Sequence, residues 1–170
     1  MKKLFKVALV GLSMVMAGNF AKAQTKMGYI NMQLLVQSMP EAKTVKSQLD
    51  IYSKEFTDEL AAMQNELQSK GKEYQAQSAT MTDAVRSAKQ TELQDLQNRL
   101  QAYNTTAQQK FEQRSNELIK PLTDKARAAI ADVAKEKGYT YILDTTQTQL
   151  LVSPDGDDLM AAVKVKMGIK

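Results

Sequence analysis

From Glu41 to about Ala79 the chain has no proline and a single glycine, Gly71. Apolar residues fall at Val45, Leu49, Tyr52, Phe56, Leu60, Met63, Leu67 and Tyr74, in steps of 4, 3, 4, 4, 3, 4 and 7. This is a seven-residue helical pattern with one extra step of four at Phe56–Leu60, which locally unwinds a left-handed supercoil. The apolar stripe is narrow, and the remaining faces are Gln, Ser, Lys, Glu and Asp. Such a helix has enough apolar surface for one partner helix and too little to sit inside a globular core.

The partner follows in the sequence. "AQSATMTD" (76–83) breaks the pattern with small and hydroxyl residues, and Thr80 or Thr82 is placed to cap the next helix. A second helix is predicted from Asp83 to about Lys137, with apolar positions from Leu93 through Leu96, Leu100, Tyr103, Ala107 and Phe111 to Leu122, Ala126, Ile130 and Val133. Pro121 lies within it and removes one backbone hydrogen bond. Gly138 ends it, just after Lys135 and Lys137. At the helical rise the arms are roughly 58 Å and roughly 80 Å long. They form a hairpin with its tip near 78–82, seamed by Tyr52, Phe56, Met63, Tyr74, Tyr103 and Phe111. The longer second helix overruns the first.

The flanks read differently. "KMGYIN" (26–31) suggests a strand, and "MQLLVQSM" (32–39) a short helix ended by Pro40. "YTYILD" (139–144) alternates: Tyr139, Tyr141 and Leu143 lie on one face, Thr140, Ile142 and Asp144 on the other. "QLLVS" (149–153) is expected to be a further strand. Asp155 or Asp157 is expected to cap a final helix over 158–167. The fold class is thus mainly α with a small β part: a long antiparallel helical hairpin, a coiled-coil arm, on a small strand-built body. The divisions are 1–23, a leader; 24–40, the first strand and short helix; 41–137, the arm; and 138–170, the C-terminal strands and helix.

Residues 1–23 carry Lys2, Lys3 and Lys6, an apolar run over Val7–Ala17, and a small-x-small signal at Ala21-Lys22-Ala23. This reads as a secretory signal peptide cleaved between Ala23 and Gln24. The apolar run is shorter than the ~20 residues of a spanning helix, which argues against an uncleaved anchor. Four of the 23 basic residues lie in this leader, so the mature chain has as many acids as bases. That removes the charge argument for nucleic-acid binding. The chain has no Cys and no His, so disulfides and the commonest thiol, imidazole and zinc chemistries are excluded.

With "GYINMQLL" at one end and "YTYILD…LLVSPDGDDLMAAVKVKM" at the other, the mature chain resembles the OmpH-like family of periplasmic outer-membrane-protein chaperones. The resemblance implies a homotrimer in which strands of three chains build a barrel-like trimerisation body. Three hairpins would surround a cavity that holds unfolded outer-membrane proteins without ATP. It also implies that Tyr29, Ile30, Tyr141, Ile142, Leu143 and Leu151 serve assembly, by strand pairing within and between chains. Familiar members are strongly basic and this mature chain is neutral, so no lipopolysaccharide or anionic-membrane site is carried over. Lys70, Lys72, Arg86 and Lys89 near the tip are interspersed with Glu66, Glu73 and Asp83.

No catalytic, cofactor or metal site is expected. Asp144 beside two threonines reads as a turn former, and "DGDD" (155–158) lacks the spacing of a calcium loop. Met81 and Val85 at the tip are the candidate client contacts. The function implied is an ATP-independent holdase. The alternative is a structural or adaptor coiled coil of the envelope, and an enzyme ranks last.

Overall fold

The computed structural model describes residues 25–169. The expected leader and its Ala23–Gln24 cleavage site lie outside them. Strand β1 (Met27–Ile30) leads into helix α1 (Met32–Ser38). The arm is α2 (Pro40–Gln77) and α3 (Asp83–Lys137). Strand β2 (Tyr141–Asp144), a 3-10 turn (Asp155–Asp157) and helix α4 (Met160–Lys166) complete the order.

Local chemistry explains the helix ends. Pro40 occupies the first turn of α2, where its missing N–H costs nothing. Thr82 caps α3, its hydroxyl accepting from the Val85 N–H at 3.4 Å. Gly138 stops α3 in the left-handed region, at φ 71°, which glycine adopts without steric penalty. Asn31 caps α1 through its side chain, at 2.9 Å from the Leu34 N–H.

The strands pair in parallel, Met27 with Tyr141 through Ile30 with Asp144. The unequal arms explain the direction. Helix α3 has 55 residues against 38 in α2, so it carries the chain back past the root of the arm. The reversal at Gly138 then sends β2 up alongside β1. The Lys26 carbonyl accepts from both Thr140 and Tyr141 N–H groups, at 2.8 and 3.4 Å, and anchors this junction. On the other edge of β1, Tyr29 bridges Asp158, and the Leu159 N–H bonds the Tyr29 carbonyl at 3.0 Å.

The core lies in this body. Ile30, Leu35, Met39, Leu122, Ala126, Val133, Leu159 and Val163 form one buried cluster drawn from both ends of the chain. Burying each of the larger side chains stabilises the body by roughly 1.5–3 kcal/mol. The arm is different: α2 contains no buried residue, and Leu96 and Ala107 are the buried positions of α3 within the arm. Its seam includes an edge-to-face pair, Tyr52 on Phe56 at 4.9 Å, with Tyr103 at 6.3 Å from Phe56. Phe111, expected in the seam, is exposed on α3.

Two expectations need correction. Residues 149–153 form no strand; Leu151 and Val152 are 93% and 89% exposed. A strand needs a neighbour to satisfy its backbone, and residues 149–153 pair with neither strand of the described sheet. The final helix starts at Met160 rather than 158, and neither Asp155 nor Asp157 caps it. Those two residues lie in the 3-10 turn; the cap position is Leu159, which makes no side-chain cap bond, and the Asp158 carboxylate before it accepts from the Met160 N–H at 2.8 Å.

Glycine substitutions separate body from arm. A Cβ on Gly28 would stand 2.5 Å from Leu159 Cδ1 and 3.1 Å from the Asp157 carbonyl, whereas one on Gly71 meets nothing within 4 Å. Gly28→Ala is expected to destabilise by ~1–3 kcal/mol through overpacking. Gly71→Ala, mid-helix, is expected to stabilise by ~0.5–1 kcal/mol. Urea unfolding of both variants against wild type checks the pair.

Candidate functional site

Apolar side chains stand exposed at both ends of the molecule, on the body and at the tip of the arm. In the body, Gly28, Ile30 and Ile142 face inward. The opposite face of the sheet is apolar and uncovered: Met27 is 54% exposed, Tyr141 59% and Leu143 42%, with Tyr29 half-buried among them. Strand β2 pairs only with β1 among the described residues, so its outer edge presents free backbone groups. Leu151 and Val152 stand out nearby in sequence on an extended loop. Of the six residues expected to serve assembly, Tyr141, Leu143 and Leu151 are exposed, Tyr29 and Ile142 are half-buried, and Ile30 packs in the chain's own core.

The sheet is tied to α1 by Asp144. One carboxylate oxygen accepts from the Thr146 hydroxyl at 2.6 Å, the Thr146 N–H at 2.9 Å and the Met32 N–H at 3.2 Å. Thr146 Oγ1 in turn accepts from the Gln33 N–H at 3.2 Å. With Asn31 on the Leu34 N–H, the first three donors of α1 are satisfied, two of them by residues more than a hundred positions away. Partial burial pushes the Asp144 carboxyl up. The Thr146 hydroxyl and N–H, the Met32 N–H and the Arg127 charge outweigh this and hold it below the ordinary aspartate value. The turn-forming role read from sequence is therefore present, and the link to α1 is added to it.

A second tie joins the termini. Lys26 lies 4.0 Å over the Tyr139 ring, and its ammonium donates to the Lys137 carbonyl at 3.0 Å. The Tyr139 hydroxyl donates towards Asp157 Oδ1 at 3.0 Å and the Gly156 carbonyl at 3.2 Å. Burial and the Asp157 carboxylate raise the Tyr139 phenol, which keeps it protonated as a donor. Sequence reading assigned Tyr139 only to a strand. The aromatic next to a helix-ending glycine was the available signal.

At the tip, Met81 is half-buried and Val85 is 46% exposed. Arg86 organises the turn, donating to the Ser78 carbonyl at 3.3 Å and the Met81 carbonyl at 3.2 Å while pairing with Asp83. Lys70 of α2 and Lys89 both bind Glu92 of α3, which raises Lys70 and lowers Glu92 through the hydrogen bond between them. Three of the four tip cations are thus matched by the chain's own acids. Among the described residues no cluster of three acids could hold a metal ion, and no helix is long and apolar enough to cross a membrane.

Because Asp144 is held below its ordinary value, its ionised form stabilises the body. That contribution is complete above the ordinary aspartate range and is lost as pH falls through the lowered folded value. Asp144→Asn is therefore expected to lower the melting temperature near neutrality and to approach wild type in acid, as pH falls through the lowered folded value. Thermal unfolding by circular dichroism across that range checks it.

The family model described as outer membrane protein (OmpH-like) matches residues 26–167. The chaperone protein Skp of Photorhabdus luminescens is 26% identical over 167 residues, spanning 96% of this chain and 97% of that protein. Skp of Yersinia enterocolitica is 29% identical, spanning 85% and 87%. A solved structure of a candidate OmpH-like outer membrane chaperone from Caulobacter crescentus superposes with a TM-score of 0.64 at 18% identity, over 87% of this chain and 86% of that one. At that identity the likeness establishes the fold.

Proposed function

This chain belongs to the OmpH-like outer membrane protein family, and on that premise we propose that it is a periplasmic holdase for unfolded outer-membrane proteins. The observation that carries the reading is the division of the molecule. A well-packed body leaves an apolar sheet face and a strand edge uncovered, while a long, thinly seamed arm projects from it. Relatives of nearly the same length are named as chaperones. The leader pattern of residues 1–23 supports export, with removal of the leader after Ala23.

Three copies join through the body. Residues 149–153, rich in strand-forming side chains but unpaired in the single chain, add to the β2 edge of a neighbour and cover Tyr141 and Leu143. Closure removes the exposed edges. The arms then surround a common space. Each contact with a client is weak, and retention comes from several acting together. Holding the unfolded form lowers its free concentration and suppresses aggregation with no nucleotide and no chemical turnover. Met81 and Val85 contribute contacts at the rim. The paired tip cations give no excess positive charge, so client capture is expected to depend little on salt.

Multi-angle light scattering of the mature protein is expected to give three times the chain mass, and Leu151→Asp to shift it towards the monomer. Stoichiometric wild type is expected to abolish the turbidity of an outer-membrane protein diluted from urea, without ATP. Unchanged turbidity beside a single stable partner in envelope pull-downs would identify an adaptor instead.

A further inference from the structure

Lys26 joins separate parts of the body. Its carbonyl accepts from the Thr140 and Tyr141 N–H groups, at 2.8 and 3.4 Å, and so starts the pairing of β1 with β2. Its ammonium donates to the Lys137 carbonyl at 3.0 Å and lies 4.0 Å over the Tyr139 ring. The Tyr139 hydroxyl carries the connection on to Asp157 Oδ1 and the Gly156 carbonyl. Without Lys26 the Thr140 and Tyr141 amides lose their acceptor, and the end of α3 loses its tie to the start of β1.

This junction stands at the start of the mature chain. With the leader removed after Ala23, Lys26 is the third residue, preceded by Gln24 and Thr25. Strand β1 begins only at Met27, and Thr25, Lys26 and Met27 are all exposed. The backbone ahead of β1 is therefore open to an enzyme that removes residues one at a time from a free amino end. Three such removals delete the junction. A loss this small at most chain ends costs little, and here it reaches the residue on which the sheet begins.

Gln24 has the chemistry to close that end. The α-amine of a first residue has an ordinary pKa only just above neutrality, so part of it is unprotonated and nucleophilic. Its attack on the side-chain carbonyl closes a five-membered ring of the α-nitrogen, Cα, Cβ, Cγ and Cδ. The new bond is N–Cδ and the bond that breaks is Cδ–Nε2. The departing nitrogen takes up a proton from the amine and leaves as ammonia. No oxidant, reductant or second substrate enters. We propose that residue 24 is a modification site: the glutamine uncovered by leader removal cyclises to pyroglutamate. The neutral lactam has no amine for an aminopeptidase to grip, and it protects the Lys26 junction. The proposal rests on leader removal after Ala23 and is independent of what the arm holds.

The test uses the exported, full-length mature protein. Its intact mass is expected to fall short of the linear 24–170 chain by one ammonia. Edman degradation is expected to be blocked until pyroglutamyl peptidase removes the first residue, and then to read Thr25, Lys26 and Met27. A linear chain beginning at Gln24 overturns the cyclisation and leaves leader removal standing. A chain beginning anywhere else overturns removal after Ala23 and the modification with it. Gln24→Asn keeps an amide at the amino end but is one carbon shorter, and its ring would be four-membered and strained. On timed exposure to a broad-specificity aminopeptidase, wild type is expected to keep its mass. The asparagine variant is expected to lose residues through Lys26 and then to melt about 5 °C lower. Equal resistance of the two proteins overturns the protective role, as does an unchanged melting temperature in a variant trimmed past Lys26.

Discussion

The body of this protein depends on a meeting between residues more than a hundred positions apart. Strand β1 pairs with β2 across the whole length of the arm, and Lys26 receives the amides that begin β2. Closing so long a loop is entropically unfavourable for a free chain. The helical hairpin organises that closure, because two antiparallel helices return the chain to its starting point. The 55-residue α3 does more, since its overhang delivers Gly138 below the start of β1. The parallel sheet, the Asp144 link to α1 and the burial of Leu159 and Val163 all follow from that placement.

Stability is unevenly distributed as a result. The core is concentrated where both ends of the chain combine, while α2 buries no residue along 38 positions. A thin seam of Tyr52, Phe56 and Tyr103 holds the helices together without a broad hydrophobic interior. This suits an arm that presents surface to varied partners and does not itself have to form a pocket. An apolar groove lined by Val36, Val45 and Ile119 lies at its root, where the two regimes meet. There the core's margin supplies the apolar floor, and the capping bonds of α1 supply rigidity.

Much of this was legible in the sequence. The heptad-like steps from Val45 to Tyr74, the cap at Thr82, the end of α3 at Gly138 and the strands around Tyr29 and Ile142 all appear where their local chemistry places them. Asp144 was readable as a turn former because its bond to the Thr146 N–H spans two residues. Its bond to Met32 was not, because nothing near residue 144 marks a donor 112 positions away. Residues 149–153 misled for the converse reason. Their composition favours a strand, but a strand forms only beside a partner, and residues 149–153 pair with neither β1 nor β2.

The sequence by itself determined the helical hairpin, its unequal arms, its turns and the balanced charge of residues 24–170, because helix period, capping and charge are properties of neighbouring residues. Only the tertiary structure decided that β1 and β2 run parallel, that Tyr141 and Leu143 face outward while Ile142 faces in, and that α1, α2 and α3 leave a groove between them. Those outcomes depend on which distant surfaces come together when the chain's two ends meet, and no local pattern encodes that meeting.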